Sequence, residues 1–312
     1  MNFQQLRIIR ETVRCNFNLT EVAAALYTSQ SGVSKHIKDL EDELGIELFV
    51  RRGKRLLGLT EPGAEMAAIV ERVLLETANM KRLAEQFVRS DHGELTVATT
   101  HTQARYALPT VVAAFKQAYP DVRLVLHQGN PNEIAAMLLD GDADIAVATE
   151  GLIDSPQILA YPYYSWHHGV VVPQDHPLTA VKPLTLAAIA EWPIITYHKG
   201  FTGRGHIDER FAEAGLTPDI VMAALDADVI KSYVELGMGI GIVASMAFLA
   251  DRDTPLQLLD STHLFEAQTS RIAIRRGRYL RGYAYRFIEL CVPQLTAKVV
   301  LADMNAGPRD EE

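Results

Sequence analysis

Three short runs of apolar residues at helical spacing, followed by a basic hairpin, fill the first sixty residues and constrain the fold most. Phe3, Leu6, Ile9 and Val13 share one helical face, with Asn2 placed as a cap and Gln5 three residues later. Asn18 caps a second helix, Leu19–Leu26, whose alanines let another helix approach closely. A third runs through Val33, Ile37, Leu40 and Leu44 and stops at Gly45, a suitable left-handed terminator. Two helices joined by a turn of a few residues make a helix-turn-helix. The polar start of the third helix offers Thr28, Ser29, Gln30, Ser31, Ser34 and Lys35, residue types that touch base edges and phosphates. A solvated face on an ordinary three-helix unit is the plainer alternative.

The next segment favours nucleic acid. Val50-Arg51-Arg52-Gly53-Lys54-Arg55-Leu56 can form a basic hairpin turned at Gly53, with Arg52 and Lys54 reaching phosphate. Thr60 and Pro62 then start another helix. The chain of 312 residues carries a net charge of −9, which opposes binding to a polyanion. Residues 1–62, however, hold nine Lys/Arg against eight Asp/Glu, so the acidity belongs to the remainder. A local basic patch suffices for an electrostatic footprint.

From Met66 the apolar positions Ile69, Val73, Met80, Leu83 and Phe87 follow a heptad seam interrupted at Glu76. A helix packed on its own domain is one reading. A dimer coiled coil is preferred, because a helix between domains has little core of its own. Pairing there would also place two recognition helices on paired half-sites.

Beyond Gly93 strand and helix patterns alternate, which predicts a mostly parallel α/β architecture. Strands are expected at Glu94–Thr100, Val122–His127, Asp144–Thr149, Ile194–Tyr197, Ile220–Leu225, Ile240–Ala244 and Ile272–Arg275. Helices are expected at Ala104–Ala118, Pro131–Leu139 and Ala227–Leu236, and the tail from Asn305 is expected to be disordered. Open α/β sheets bind ligands beyond the carboxyl ends of their strands. There, Thr99-Thr100-His101-Thr102-Gln103 leads into a helix and offers hydroxyl and amide donors, a set that suits an anion without a cationic side chain. Thr149 closes another strand, and Gly200-Phe201-Thr202-Gly203-Arg204 lies between a strand and a helix.

The N-terminal sixty residues resemble the LysR-type regulators. Ala23-Ala24-Ala25-Leu26, Ser29-Gln30, Ser34-Lys35-His36-Ile37, Leu40-Glu41, Leu44-Gly45, Leu48-Phe49 and Leu59-Thr60 carry the resemblance. Ser31 stands where many members have proline. The resemblance implies a winged helix-turn-helix over residues 1–59, a dimerising linker helix over 60–90 and an effector domain over 91–312. That domain would be of the periplasmic-binding-protein type, with two α/β subdomains, about 91–163 with 266–300 and about 164–265. The chain would cross between them near Tyr163 and Phe265.

Leu26-Tyr27-Thr28-Ser29-Gln30, Thr99–Pro109, His127-Gln128-Gly129, Gly200–Arg204 and Asp226–Lys231 are further similar to the CysB-type branch, activators of sulfur assimilation and cysteine biosynthesis. That likeness implies anion-binding positions at Thr100, Thr102, Gln103, Thr149 and Thr202, with Trp166 nearby. It implies N-acetylserine as effector, with O-acetylserine, sulfate and thiosulfate as related candidates. It also implies promoter DNA and RNA polymerase as partners and a homodimer or homotetramer. A regulator of sulfonate or sulfate-ester use is the alternative within the family.

Other classes fit less well. Gly237-Met238-Gly239-Ile240-Gly241 follows a helix and enters a strand, the reverse of a dinucleotide loop. His167 and His168 point to opposite faces of a strand, and no zinc spacing accompanies them, so neither metal nor cofactor is expected. No G-x-S-x-G elbow appears, and no enzyme activity is expected. A transport-type binding protein would need export, whereas the N-terminus lacks a signal-peptide pattern and no apolar run spans a bilayer. A cytoplasmic location is therefore expected.

Overall fold

The computed structural model describes residues 1–53, 55–88, 91–201 and 203–306, in two compact units, Met1–Glu85 and Gln86–Glu312. The expected tail beyond 306 lies outside the described residues.

In the first unit, α1 (Phe3–Arg14), α2 (Leu19–Ala25) and α3 (Gln30–Leu44) are followed by a hairpin, β1 (Phe49–Arg52) and β2 (Arg55–Leu59). Local chemistry sets the helix ends. Asn2 and Gln5 form a reciprocal capping box on α1, Asn18 accepts from Thr20 N–H at the start of α2, and Gly45 ends α3 in the left-handed region. Leu6, Ile9, Val22, Val33, Ile37 and Leu40 meet Phe49 and Leu56 in one core. Phe3, expected on that face, is 55% exposed; Ile8 is buried instead, because the core-facing stripe is rotated toward Gln5, Ile8 and Thr12.

A long helix, α4 (Glu61–Val88), buries Val70 and Leu74 against that core. Ile69, Val73, Met80, Leu83 and Phe87, the heptad positions, are all exposed. Met66, at the start of the seam, packs on the three-helix core, whereas the later seam positions lie on a face that does not.

The second unit contains two five-stranded sheets. The first is built from β3 (Gly93–Thr99), β4 (Val122–Gln128), β5 (Ile145–Ala148), β6 (Ile158–Trp166) and, much later, β12 (Gln268–Arg275). The second contains β7 (His168–Pro173), β8 (Ile194–Tyr197), β9 (Ile220–Ala224), β10 (Ile240–Ala244) and β11 (Leu256–Leu259). The strand orders are β4-β3-β5-β12-β6 and β11-β7-β10-β8-β9. β4, β3 and β5 are parallel, as are β10, β8 and β9, while the remaining pairings are antiparallel.

Helices α5 (Pro109–Ala118), α6 (Pro131–Asp140), α10 (Gly282–Cys291) and α11 (Ala297–Asn305) belong with the first sheet's part of the chain. Helices α7 (Leu186–Ala190), α8 (Arg204–Glu213) and α9 (Ala227–Glu235) belong with the second. Both faces of each sheet are covered. Val97 and Ile145 meet Phe115 and Phe287 on one side of the first, while Ala98 and Ala146 meet Ile134 and Leu138 on the other.

Two features differ from the sequence expectation, the first crossing between the sheets and the helix after β3. The chain leaves the first sheet at His167 rather than at Tyr163, because β6 pairs with β12 as far as Trp166 opposite Gln268. The return falls between Leu259 and Gln268, around Phe265. The expected helix Ala104–Ala118 is two pieces. Gln103–Ala107 is a π-helical turn, closed by Leu108 N–H on Gln103 C=O, and Pro109 starts α5 because it has no N–H to extend that turn.

Candidate functional site

In the helix-turn-helix, Ser29 caps α3 and accepts from Gly32 N–H at 3.1 Å; its hydroxyl also lies 3.2 Å from that of Ser31. Thr28, Gln30, Ser31 and Lys35 are exposed and Ser34 half-buried. These residues occupy the first turns of α3, while Val33, Ile37 and Leu40 fix its opposite face in the core. Arg52 is exposed at the end of β1, and Lys54 lies outside the described residues. Arg51 is committed elsewhere. Its guanidinium donates to Glu41 at 2.7 Å, and Glu41 also accepts from the Leu48 and Phe49 N–H groups, pinning the hairpin to α3.

In the second unit the expected positions converge on a serine. Ser270 is fully buried on β12, and its hydroxyl lies 2.9 Å from Gln103 Nε2, 3.1 Å from Trp166 Nε1 and 3.2 Å from Thr149 Oγ1. The amide and the indole both donate, which fills the serine's acceptor capacity. Ser270 therefore donates to Thr149, leaving the Thr149 hydroxyl proton directed elsewhere. Tyr164 donates to Gln103 Oε1, fixing the amide orientation. The register of β12 on β6 shifts between Ser270 and Arg271, which face Tyr164 and Pro162, so the extra residue is Tyr163 of β6.

Thr100 and Thr102 are buried beside this cluster in sequence. Thr102 Oγ1 is sealed from solvent without a hydrogen bond of good geometry, and the Tyr197 hydroxyl lies beside it. Thr202 lies outside the described residues, but its neighbour Gly203 starts α8 with a positive φ of 67°. A Cβ on Gly203 would come within 2.7 Å of the His168 ring, which itself packs edge-on against Trp166. Only glycine permits that approach. Gly203 N–H donates to Glu150 at 2.6 Å. Burial raises the Glu150 carboxyl above the ordinary carboxylate range, partly offset by the Gly203 N–H and by His206. Arg204 is not an anion donor, since its guanidinium is held by Tyr197 C=O at 2.6 Å and Asp208 at 2.8 Å.

A second cluster joins the two sheets' parts of the chain. Tyr106, just before α5, donates to Asp228 on α9 at 2.6 Å, and Arg105 approaches the same carboxylate at 3.3 Å. Lys231, almost fully buried, donates to both Asp253 oxygens at 2.9 Å, to Ala247 C=O, and to the Tyr106 hydroxyl at 3.3 Å. Burial pushes the Asp228 carboxyl up, but Tyr106, Lys231 and Arg105 outweigh it and hold the carboxyl below its usual value. Among the described residues, ligand atoms of His101, Asp226 and Asp228 lie within 4.8 Å of one another. The two neighbouring cations already balance Asp228, so a metal ion would compete with them.

Ser270, Tyr164 and Glu150 were not singled out from sequence. Glu150 could have been, as the residue after Thr149 at a strand end. Ser270 could not, because its partners Gln103, Thr149 and Trp166 all lie more than a hundred residues away in sequence.

Among the described residues no helix is long and apolar enough to cross a membrane. Residues 3–64 match the family model for the bacterial regulatory helix-turn-helix protein, lysR family, and residues 89–296 match the LysR substrate binding domain. The chain is 60% identical to the HTH-type transcriptional regulator SsuR of Burkholderia cenocepacia, over 95% of this chain and 96% of the relative. It is 51% identical to the HTH-type transcriptional regulator CysB of the same species, over 96% of both chains. Among solved structures, the cofactor-binding domain of the Cbl transcriptional regulator shares 50% identity at a TM-score of 0.66, covering 69% of this chain and 95% of that domain. With a helix-turn-helix at one end, two α/β sheets at the other and family models spanning both, the chain belongs to the LysR family of transcriptional regulators.

Proposed function

We propose that this regulator controls genes of sulfur assimilation and cysteine biosynthesis in the cytoplasm and is switched by a small anion. α3 and the β1–β2 wing contact promoter DNA, and α4 pairs two subunits along its exposed heptad face. The observation that carries the effector reading is the Ser270-centred cluster. It fixes Gln103 and Trp166 around Ser270 and leaves the Thr149 hydroxyl proton to donate elsewhere, with Thr100 and Thr102 close in sequence. Neutral donors of this kind suit a carboxylate or sulfate-like ion. Such an ion shifts the balance between arrangements only by binding one of them more tightly.

A second reading, control of sulfonate or sulfate-ester use, draws support from the higher identity to the regulator named SsuR than to the one named CysB. A thermal-shift series with N-acetylserine, O-acetylserine, sulfate, thiosulfate and adenylyl sulfate, run beside promoter mobility shifts, separates the two. The first reading expects N-acetylserine to give the largest shift, and the second expects a sulfate-containing ligand to do so. No stabilisation by any of the five would contradict both.

A further inference from the structure

Tyr106 belongs to one part of the effector domain by sequence and to the other by packing. It lies in the π-helical turn Gln103–Ala107 that follows β3 of the first sheet. Its ring packs instead against the core of the second sheet, the cluster that contains Tyr197, Ala227 and Ile230. Leu108, two residues on, is fully buried in the first sheet's core with Phe115. A stretch of three residues is thus pinned in both cores.

Polar contacts reinforce this crossing. The Tyr106 phenol donates to Asp228 on α9 at 2.6 Å and accepts from Lys231 at 3.3 Å, while Arg105 approaches the other Asp228 oxygen at 3.3 Å. Burial first, and then the neighbouring carboxylate, push the phenol pKa up, so it stays a donor at every working pH. A short bond to an ionised acceptor is of the stronger kind.

The same turn carries Gln103 at its first position, held by Ser270 and Tyr164, and closes through Leu108 N–H on Gln103 C=O. Single π-helical turns are rare and concentrate at functional sites. Here one turn joins the anion cluster to the Asp228 contact. In this arrangement the two parts also touch beside the cluster, where Glu150 after β5 accepts the Gly203 N–H.

We propose that Tyr106 is a positioning residue for effector binding: its bond to Asp228 holds the two parts of the effector domain in the arrangement that an anion bridges. The inference rests on the reading of the Ser270 cluster as the effector site. An anion bound by both parts favours the arrangement that keeps them together, and loss of the Tyr106–Asp228 bond lowers the population of that arrangement. Affinity then falls although no residue of the cluster has changed.

The test uses the full chain and two readouts. Tyr106→Phe keeps the ring in its core and removes only the hydroxyl, while Asp228→Ala removes the acceptor. Hydrogen–deuterium exchange without effector should show the Gly203 N–H exchanging about tenfold faster in either variant, with the amides of α10 unchanged. Calorimetry with N-acetylserine and with sulfate should show each anion that binds wild type binding about tenfold more weakly. The double variant should lose no more than either single one, because both remove the same bond. A residue that only stabilises the fold would lower the Tm and leave both readouts as in wild type. Wild-type exchange at Gly203 in Tyr106→Phe, unchanged affinity, or additive losses in the double variant would overturn the proposal. A wild-type protein that binds neither anion would overturn the effector reading itself, and the proposal with it.

Discussion

The Glu150 carboxylate accepts the backbone N–H of Gly203 at 2.6 Å, tying the loop after β5 to the start of α8. It thus places a carboxylate of the protein next to the residues expected to hold an anionic effector. Burial raises its pKa first of all, so the charged form is the costly one. An incoming anion should bind more tightly as pH falls through the Glu150 value, because protonation removes a like charge. Glu150→Gln should bind sulfate severalfold more tightly near neutral pH and lose this pH dependence. Calorimetry at a series of pH values reads both effects, and a parallel pH profile in the variant would contradict them. The same raised value makes a stability contribution that is complete below the unfolded-state pKa and is lost as pH rises through the folded one. The Tm of wild type relative to Glu150→Gln should therefore fall as pH rises across that window.

Ser270→Ala removes one hydroxyl and leaves the Gln103 amide and Trp166 indole donors without their acceptor. Buried groups left unsatisfied in this way cost about 1–3 kcal/mol. Urea unfolding should show that loss, and effector affinity should fall with it because the Thr149 orientation is lost too. An unchanged midpoint and unchanged affinity would remove Ser270 from the centre of the site.

Lys231 and Asp253 form a buried pair that also supports Tyr106. Lys231→Met strands the Asp253 carboxylate, and breaking such a pair costs about 3–5 kcal/mol. Lys231→Met with Asp253→Leu should recover much of the loss, since no unpaired charge remains. Denaturant titration of the single and double variants checks this, and equal stability of the two would contradict it.

Val73 and Met80 are exposed one heptad apart on α4. Glutamate at both positions would bury unpaired charge in a paired helix, so sedimentation should show a smaller species. A folded variant with the wild-type assembly state would assign pairing to another surface.

Much of the helix-turn-helix was legible because its determinants are local. Asn2, Asn18 and Gly45 act within a few residues of themselves, and each behaves in the structure as its spacing predicts. The strands Ile194–Tyr197 and Ile240–Ala244 were equally plain, being short apolar runs buried on both faces. β6 and β7 escaped notice because Pro162 and the paired histidines interrupt any simple alternation. Ser270 meets Gln103 across 167 residues of sequence, a contact that only the pairing of distant strands creates.

The proposed effector is a small anion held by donors at the end of β3 and around Ser270. Calorimetry of wild type against Thr100→Val with N-acetylserine and with sulfate tests it most directly. The valine keeps the shape of the buried threonine and removes its hydroxyl. The account predicts saturable binding of at least one of these anions to wild type, weakened by about tenfold or more in the variant. Equal affinity of wild type and Thr100→Val for each anion that binds, or no binding of either to wild type, would contradict it.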